Sequence, residues 1–364
     1  MAIRTLLIVG LLSTLAVSAG VRFSLLLGLG LLIGFSLERM GFGFAGPWRR
    51  LIRDRNGQGM MAQLLAIGLT AIAIQPIIAH TPGSFLGAIA PVSVTMVMAA
   101  FVFGLSMQMI LGCGSGTLIN AGSGNAIALV ALPLFCLGSF LGTLLVPIAI
   151  ESTPHIPVSL PALFGVQGSL GVTIIGLIVV GFIAARYSQA PLWNRQLLTA
   201  AIILAGLAIL HVLVAGQPWG VVYGLGLWVA KAAQGLGWDP ATAAFWTHPI
   251  NIAALESSIL TDTTSLTSLG LVGGAALAAW KESSDRPFGQ SVAIWFYLVA
   301  ALFGLLLGIS SRLAFGCNVG ALFSGIASGS LHGWAWLLAG FVGSFVGVRL
   351  RDQLWSLAQT SRQL

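Results

Sequence analysis

The sequence predicts an all-α polytopic membrane protein, and three observations carry that prediction. Only 7% of the 364 residues are charged while 57% are hydrophobic, against about 25% charged in soluble domains. Apolar runs at 61–80, 126–150, 161–185, 196–214, 292–311 and 333–348 approach or exceed the ~18–20 residues that a helix needs to cross a bilayer. The alternating segments of roughly ten residues that mark a transmembrane barrel do not occur. The expectation is about nine transmembrane helices plus re-entrant half-helices, arranged as two inverted repeats.

Residues 1–21 form a hydrophobic segment with a basic start, "MAIRTLLIVGLLSTLAVSAG". A cleaved signal peptide and a first membrane helix share that pattern; the helix is the expected form here. Net charge is +7, from 16 Lys+Arg against 9 Asp+Glu, which in a soluble protein would point to nucleic acid. Here the basic residues gather at segment ends, as in "RRLIRDR" at 49–55. The positive-inside rule explains that clustering without a nucleic-acid partner, and the lipid bilayer is the partner expected. Three cysteines leave at least one thiol free and make a disulfide framework a poor reading.

The chain is written twice. Gly104-x7-Gly112-Cys113-x-x-Gly116-x-Leu118 recurs as Gly308-x7-Gly316-Cys317-x-x-Gly320-x-Leu322. Gly138-Ser139-Phe140-x-Gly142 recurs as Gly343-Ser344-Phe345-x-Gly347, and "GLGL" at 28–31 recurs at 224–227. The order is the same in both halves, which accidental glycine pairs would not preserve. A first repeat over 22–150, connecting helices over 151–216, a second repeat over 217–352 and a tail over 353–364 follow.

Loop charge relates the halves. "RRLIRDR" at 49–55, "RYSQAPLWNR" at 186–195 and "KESSDR" at 281–286 read as cytoplasmic, while 80–84 and 151–160 lack Lys and Arg and read as external. Equivalent loops then lie on opposite sides, so the repeat is inverted. Parity requires that one apolar segment between 196 and 280 turn back. The Gly-rich 217–260 stretch is the candidate, with 23–48 as its partner turning at "GFGF". Irregular backbone at membrane depth is tolerated only inside protein or along a polar path.

The two cysteine motifs are the candidate site. Gly112, Gly114 and Gly116 interrupt a helix, since each glycine costs about 1 kcal/mol against alanine in a helix interior. The break frees backbone N–H groups, and the half-helix after it presents the positive end of its dipole. Ser115, with Thr117, Asn120 and Ser123, adds neutral hydrogen-bonding groups. Such a set suits an anion that must bind and then leave. Small-residue helix packing is the competing explanation for the glycines, but it does not explain a cysteine at the same place in both halves. The second motif supplies Gly316, Cys317, Asn318 and Gly320. Thiols are weak donors and polarisable contacts, suited to sulfur-containing ligands.

Outside the motifs, Cys136 reads as core packing. Arg312, Lys231, Glu38 and Arg39 are ionisable groups in or near membrane segments, and Arg312 is placed to draw an anion towards Cys317. His332 reads as a helix-end hydrogen-bonding group and Trp334 as an interfacial anchor. No ligand spacing calls for a metal, no cofactor is expected, and no Walker, triad or dinucleotide pattern calls for an enzyme.

"GCGSGTLINAGSGN" at 112–125 and "GCNVGALFSGIASGSLHGW" at 316–334 resemble the two signature blocks of the YeeE/YedE family of membrane proteins. The resemblance extends from about residue 22 over nearly the whole chain. It implies an hourglass-shaped inverted-repeat bundle in a bacterial inner membrane that takes up thiosulfate or a related sulfur anion. Cysteines near its centre would pass the anion along by S–H hydrogen bonds. The family's third cysteine lies in an Arg-x-x-Phe-Cys block, and here Arg39-Met40-Gly41-Phe42-Gly43 puts Gly43 in its place. A sulfur carrier that forms a cysteine persulfide, or a transporter of another small anion such as a selenium compound, stays open. So does a cytoplasmic sulfurtransferase docking on the basic loops.

Overall fold

The computed structural model describes the backbone of residues 2–152, 156–280 and 294–360. The charged loop at 281–286 and His155 lie outside the described residues. Helices follow one another as α1 (Ala2–Ser18), α2 (Val21–Met40), α3 (Ala45–Asp54), α4 (Gln58–His80), α5 (Val94–Met109), α6 (Gly114–Gly122) and α7 (Ala126–Ser152). After a connecting pair, α8 (Leu160–Tyr187) and α9 (Arg195–Ala215), come α10 (Val222–Gly235), α11 (Pro249–Glu256), α12 (Thr263–Ala279) and α13 (Ile294–Leu313). A wider-wound stretch, Asn318–Phe323, runs into the one-turn α14 (Ser324–Ala327), and α15 (Leu331–Thr360) closes the chain. Among the described residues, eight helical stretches are long and apolar enough to cross a membrane, with shorter apolar helices at Ile8–Ser18 and Thr263–Ala279. The protein is an all-α polytopic membrane protein. A two-residue antiparallel pairing joins Pro91–Val92 to Ile156–Pro157.

Glycines decide which helices meet. α5 packs on α15 and α13 on α7. A Cβ on Gly104 would run into the backbone of Gly340, and one on Gly343 into the carbonyl of Phe101. In the other crossing, Gly138 abuts Leu305 and Gly308 abuts Phe135. Close backbone approach through small residues is the usual adhesive of membrane helices, because lipid offers no hydrophobic drive for association. These outer motif glycines therefore serve packing between helices.

The "GFGF" segment differs from expectation. α2 is an uninterrupted 20-residue helix, about 30 Å at 1.5 Å per residue and long enough to cross, rather than a half-helix. Its glycines do not break it because they face α12: Gly30 lies on Thr267 and Gly270, and Gly34 on Leu271. It stops at Gly41, whose φ of 62° is left-handed. The counterpart stretch 217–260 does hold only short helices, α10 of 14 residues and α11 of 8.

Candidate functional site

Both cysteines follow the same backbone break. Leu111 and Phe315, two residues ahead of Cys113 and Cys317, adopt φ of 58° and 55°, a left-handed conformation uncommon for residues with a side chain. The Gly112 N–H then reaches back to the Met107 carbonyl at 3.0 Å, and the Gly316 N–H to the Ser311 carbonyl at 2.8 Å. Each cysteine is extended, with ψ near −170° (−171° and −169°), and its carbonyl accepts a 2.8 Å bond that starts the next helix. Holding a non-glycine residue left-handed costs roughly 1–3 kcal/mol. The strain recurs at matching positions in both motifs.

The thiols themselves are inside. Cys113 is 1% and Cys317 0% exposed. Cys113 Sγ accepts the Gly116 N–H at 3.3 Å and lies 3.6 Å from Ser115 Oγ. Gly114, the residue after Cys113, abuts the other thiol: a Cβ there would stand 2.7 Å from Cys317 Sγ and 2.9 Å from its Cβ. The two motifs thus meet back to back. Beside them the Phe323 ring stands between Phe44 and Trp219, with ring centres 6.0 and 6.3 Å away.

A cavity opens on either side of this contact. The smaller, about 190 Å³, is lined by Gly112, Cys113, Ser115, Gly116 and Asn120 together with the Gly41–Phe44 turn and the start of α3. Gly43 is in that turn, and a Cβ on it would meet nothing. The larger, about 740 Å³, is lined by Arg312, Gly316 and Gly320, with Tyr223, Phe245 and His332. Cys317, Gly114 and Asn318 line neither cavity and belong to the wall between them. The structure therefore gathers Gly43, Gly112, Cys113, Ser115 and Gly116 on one side, and Arg312, Gly316 and Gly320 on the other.

Other predicted residues fall out plainly. Thr117 Oγ1 donates to the Cys113 carbonyl at 2.8 Å and Ser123 Oγ to the Asn120 carbonyl at 3.2 Å, so both hydroxyls stitch α6 together. Asn318 is fully buried, yet neither atom of its amide has a partner. Lys231 Nζ donates to the Leu255 and Ser257 carbonyls, both at 2.6 Å, and so closes the end of α11. His332 Nδ1 sits 2.7 Å from Ser330 Oγ at the start of α15. Trp334 is half-buried against Gly176 of α8, and its indole N–H is buried, so it is a packing residue and not an interfacial anchor. Cys136 is buried in the apolar core.

Sequence reasoning missed the supports of the turn at 41–44 and the start of α3. Gln63 Nε2 donates to the Gly43 carbonyl at 2.7 Å while its Oε1 accepts from Trp48 Nε1 at 3.0 Å, and Gln108 Nε2 donates to the Ala45 carbonyl at 3.2 Å. The available signal was glutamine within apolar helices, where an unpartnered amide would be costly.

Comparison with known proteins gives a consistent picture. The sequence profile of the family described as "Sulphur transport" matches residues 39–346. The chain is 33% identical over 152 residues to "Probable transporter YedE" of Escherichia coli, which is 41% of this chain and 36% of that protein. It is 32% identical over 151 residues to the Salmonella typhimurium protein of the same name, covering 41% of this chain and 36% of that one. To "Thiosulfate transporter TsuA" of Spirochaeta thermophila it is 27% identical over 260 residues, 65% of this chain and 72% of that protein. The matched region thus spans little more than a third of the two YedE proteins.

Proposed function

The chain belongs to the sulphur-transport family, and from that premise we propose that it is a transporter or facilitator bringing thiosulfate, or a related small sulfur-containing anion, into the cytoplasm. The observation that carries this reading is the back-to-back placement of two matching breaks, Gly114 against Cys317, with a cavity on either side. An anion passing there meets the N-terminal N–H groups of α6, the Cys113 and Cys317 thiols and the Ser115 hydroxyl, with no lysine or arginine on the break itself. Hydrogen bonds to an ionised partner contribute roughly 1.5–3 kcal/mol each. That holds a dianion without trapping it.

Passage is favoured over covalent chemistry. The hydrogen-bonding groups at Cys113 Sγ are the Ser115 hydroxyl and the Gly116 N–H, neither of which is a base that generates a thiolate nucleophile. The exchanged helix pairing, α5 on α15 and α13 on α7, supports the inverted-repeat reading. Arg50 lines the smaller cavity, and with the neighbouring arginines of 49–55 it supports a cytoplasmic assignment of that side by the positive-inside rule. The larger cavity then faces outward from a bacterial inner membrane. The same arginine-rich α3 is the surface on which a sulfurtransferase would receive the cargo.

Uptake of labelled thiosulfate into proteoliposomes, in competition with sulfate, sulfite and selenite, tests the reading. Thiosulfate is expected to compete best and the thiols to be unmodified by mass spectrometry afterwards. A persulfide adduct on either cysteine would move the protein into the carrier class, and selenite winning the competition would change the cargo.

A further inference from the structure

The larger cavity contains a charge whose partners are not acids. Arg312 leaves α13 where its stem rests on Gly142 of α7; a Cβ on that glycine would stand 2.8 Å from the Arg312 Cβ. Its guanidinium carbon is then 4.9 Å from the centre of the Phe245 ring and 5.5 Å from that of Tyr223. The rings are themselves tied together. Tyr223 OH donates to Asn251 Oδ1 at 2.8 Å, and Asn251 Nδ2 donates to the Phe245 carbonyl at 2.7 Å. Arg312 Nε is buried without a hydrogen-bond partner. Glu151 lines the same cavity from the exposed end of α7, and Arg312 forms no ion pair with it or with any other described residue.

The matching position in the first motif sharpens the contrast. In Gly104-x3-Gln108-x3-Gly112-Cys113 the residue aligned with Arg312 is the neutral Gln108. The crossing geometry is equivalent: Gly347 packs against the Gln108 Cβ, at 3.1 Å, as Gly142 does against Arg312. Gln108 Nε2 donates to the Ala45 carbonyl while its Oε1 is buried without a partner, whereas Arg312 lines the larger cavity.

We propose that Arg312, held between Tyr223 and Phe245, is the capture site for a small divalent oxyanion in the larger cavity, setting apparent affinity while the cysteine breaks set the rate of passage. This rests on the transport reading above and adds a location for first binding. Aromatic faces orient a guanidinium and leave its edge free, and that edge matches two oxygens of a tetrahedral anion. Gly316 and Gly320 line the same cavity, so an anion released from Arg312 is already at the second break. The symmetric position carries a neutral amide instead of a cation, and the arginine that lines the smaller cavity, Arg50, shares it with Glu38.

The test compares wild type, Arg312→Gln and Arg312→Lys for initial uptake of thiosulfate over a range of concentrations, and for binding of thiosulfate to the purified protein by calorimetry. Arg312→Gln, which copies Gln108, is expected to raise the half-saturating concentration about tenfold or more, as loss of a charge-assisted pair implies. Its maximal rate should stay within about twofold, on the premise that this interaction acts in binding and not in passage. Arg312→Lys keeps the charge but not the fork, and should fall between the two. An unchanged half-saturation in Arg312→Gln, or a loss confined to maximal rate, overturns the proposal. Should wild type bind thiosulfate without transporting it, the transport reading fails. The calorimetric difference between wild type and Arg312→Gln still decides the capture site.

Discussion

At Cys113 the chain leaves the break as a nine-residue α-helix, and its first residue, Gly114, touches the opposite thiol. At Cys317 it leaves as a six-residue stretch wound as a π-helix, whose first residue, Asn318, is buried with both amide atoms unpaired. The turn leading into each is the same, down to the left-handed residue two positions earlier. Duplicated backbone thus carries different side-chain chemistry. One side offers a packed glycine, a capped thiol and a small cavity lined by both Arg50 and Glu38. The other offers a wider turn, an unsatisfied amide and a large cavity with an arginine. π-Windings and unsatisfied buried groups are expensive and concentrate at functional positions. The second break is therefore where the molecule departs furthest from plain packing.

Substituting one motif glycine on each side breaks the comparison most directly. Gly114→Ala places a methyl group 2.7 Å from Cys317 Sγ and should abolish uptake while costing about 1–3 kcal/mol of stability through overpacking. Gly320→Ala, on the other side, meets nothing within 4 Å and should change stability by less than about 0.5 kcal/mol. Thermal unfolding in detergent and uptake, measured together, check both. Equal effects of the two would remove the asymmetry.

Asn318→Leu is the next largest effect, and it separates stability from function. An unsatisfied buried amide costs roughly 1–3 kcal/mol, so an apolar isostere should leave the melting temperature unchanged or higher. If a passing anion is what the amide serves, uptake should nevertheless fall several-fold. A variant that melts higher and transports normally would make Asn318 a packing residue.

The smallest effect is expected at Gly43. Its Cβ position is open and its loop is pinned by Gln63 through the carbonyl, not the side chain. Gly43→Cys should fold like the parent, with melting changed by less than about 0.5 kcal/mol, and should place a third thiol in the smaller cavity beside Cys113. Uptake competition among sulfur oxyanions before and after that change reads out whether the missing thiol tunes cargo. A large loss of stability would mean the loop is tighter than its open Cβ position indicates.

Much of this was legible in the sequence because it is local. Glycines that interrupt an apolar run, a cysteine among them and the repetition of both can be read residue by residue. Apolar length gave the membrane class for the same reason. What was not legible depends on contacts far apart in the chain. The role of Gly30 and Gly34 shows only when α12 is laid against them. Lys231 looks like an intramembrane charge until the end of α11 supplies two carbonyls. The link from Tyr223 through Asn251 to Phe245 involves residue types with no motif spacing at all. Only the fold makes it a support for Arg312.

The most direct measurement is the initial rate of thiosulfate uptake into proteoliposomes containing Cys113→Ala, Cys317→Ala or Cys136→Ala. If the two motif thiols line the route, each of the first two should lose about tenfold or more, the weight of one hydrogen bond to a charged group. Cys136→Ala, buried in the core away from both cavities, should transport at close to the parental rate. Parental rates in both Cys113→Ala and Cys317→Ala would contradict a thiol-lined path.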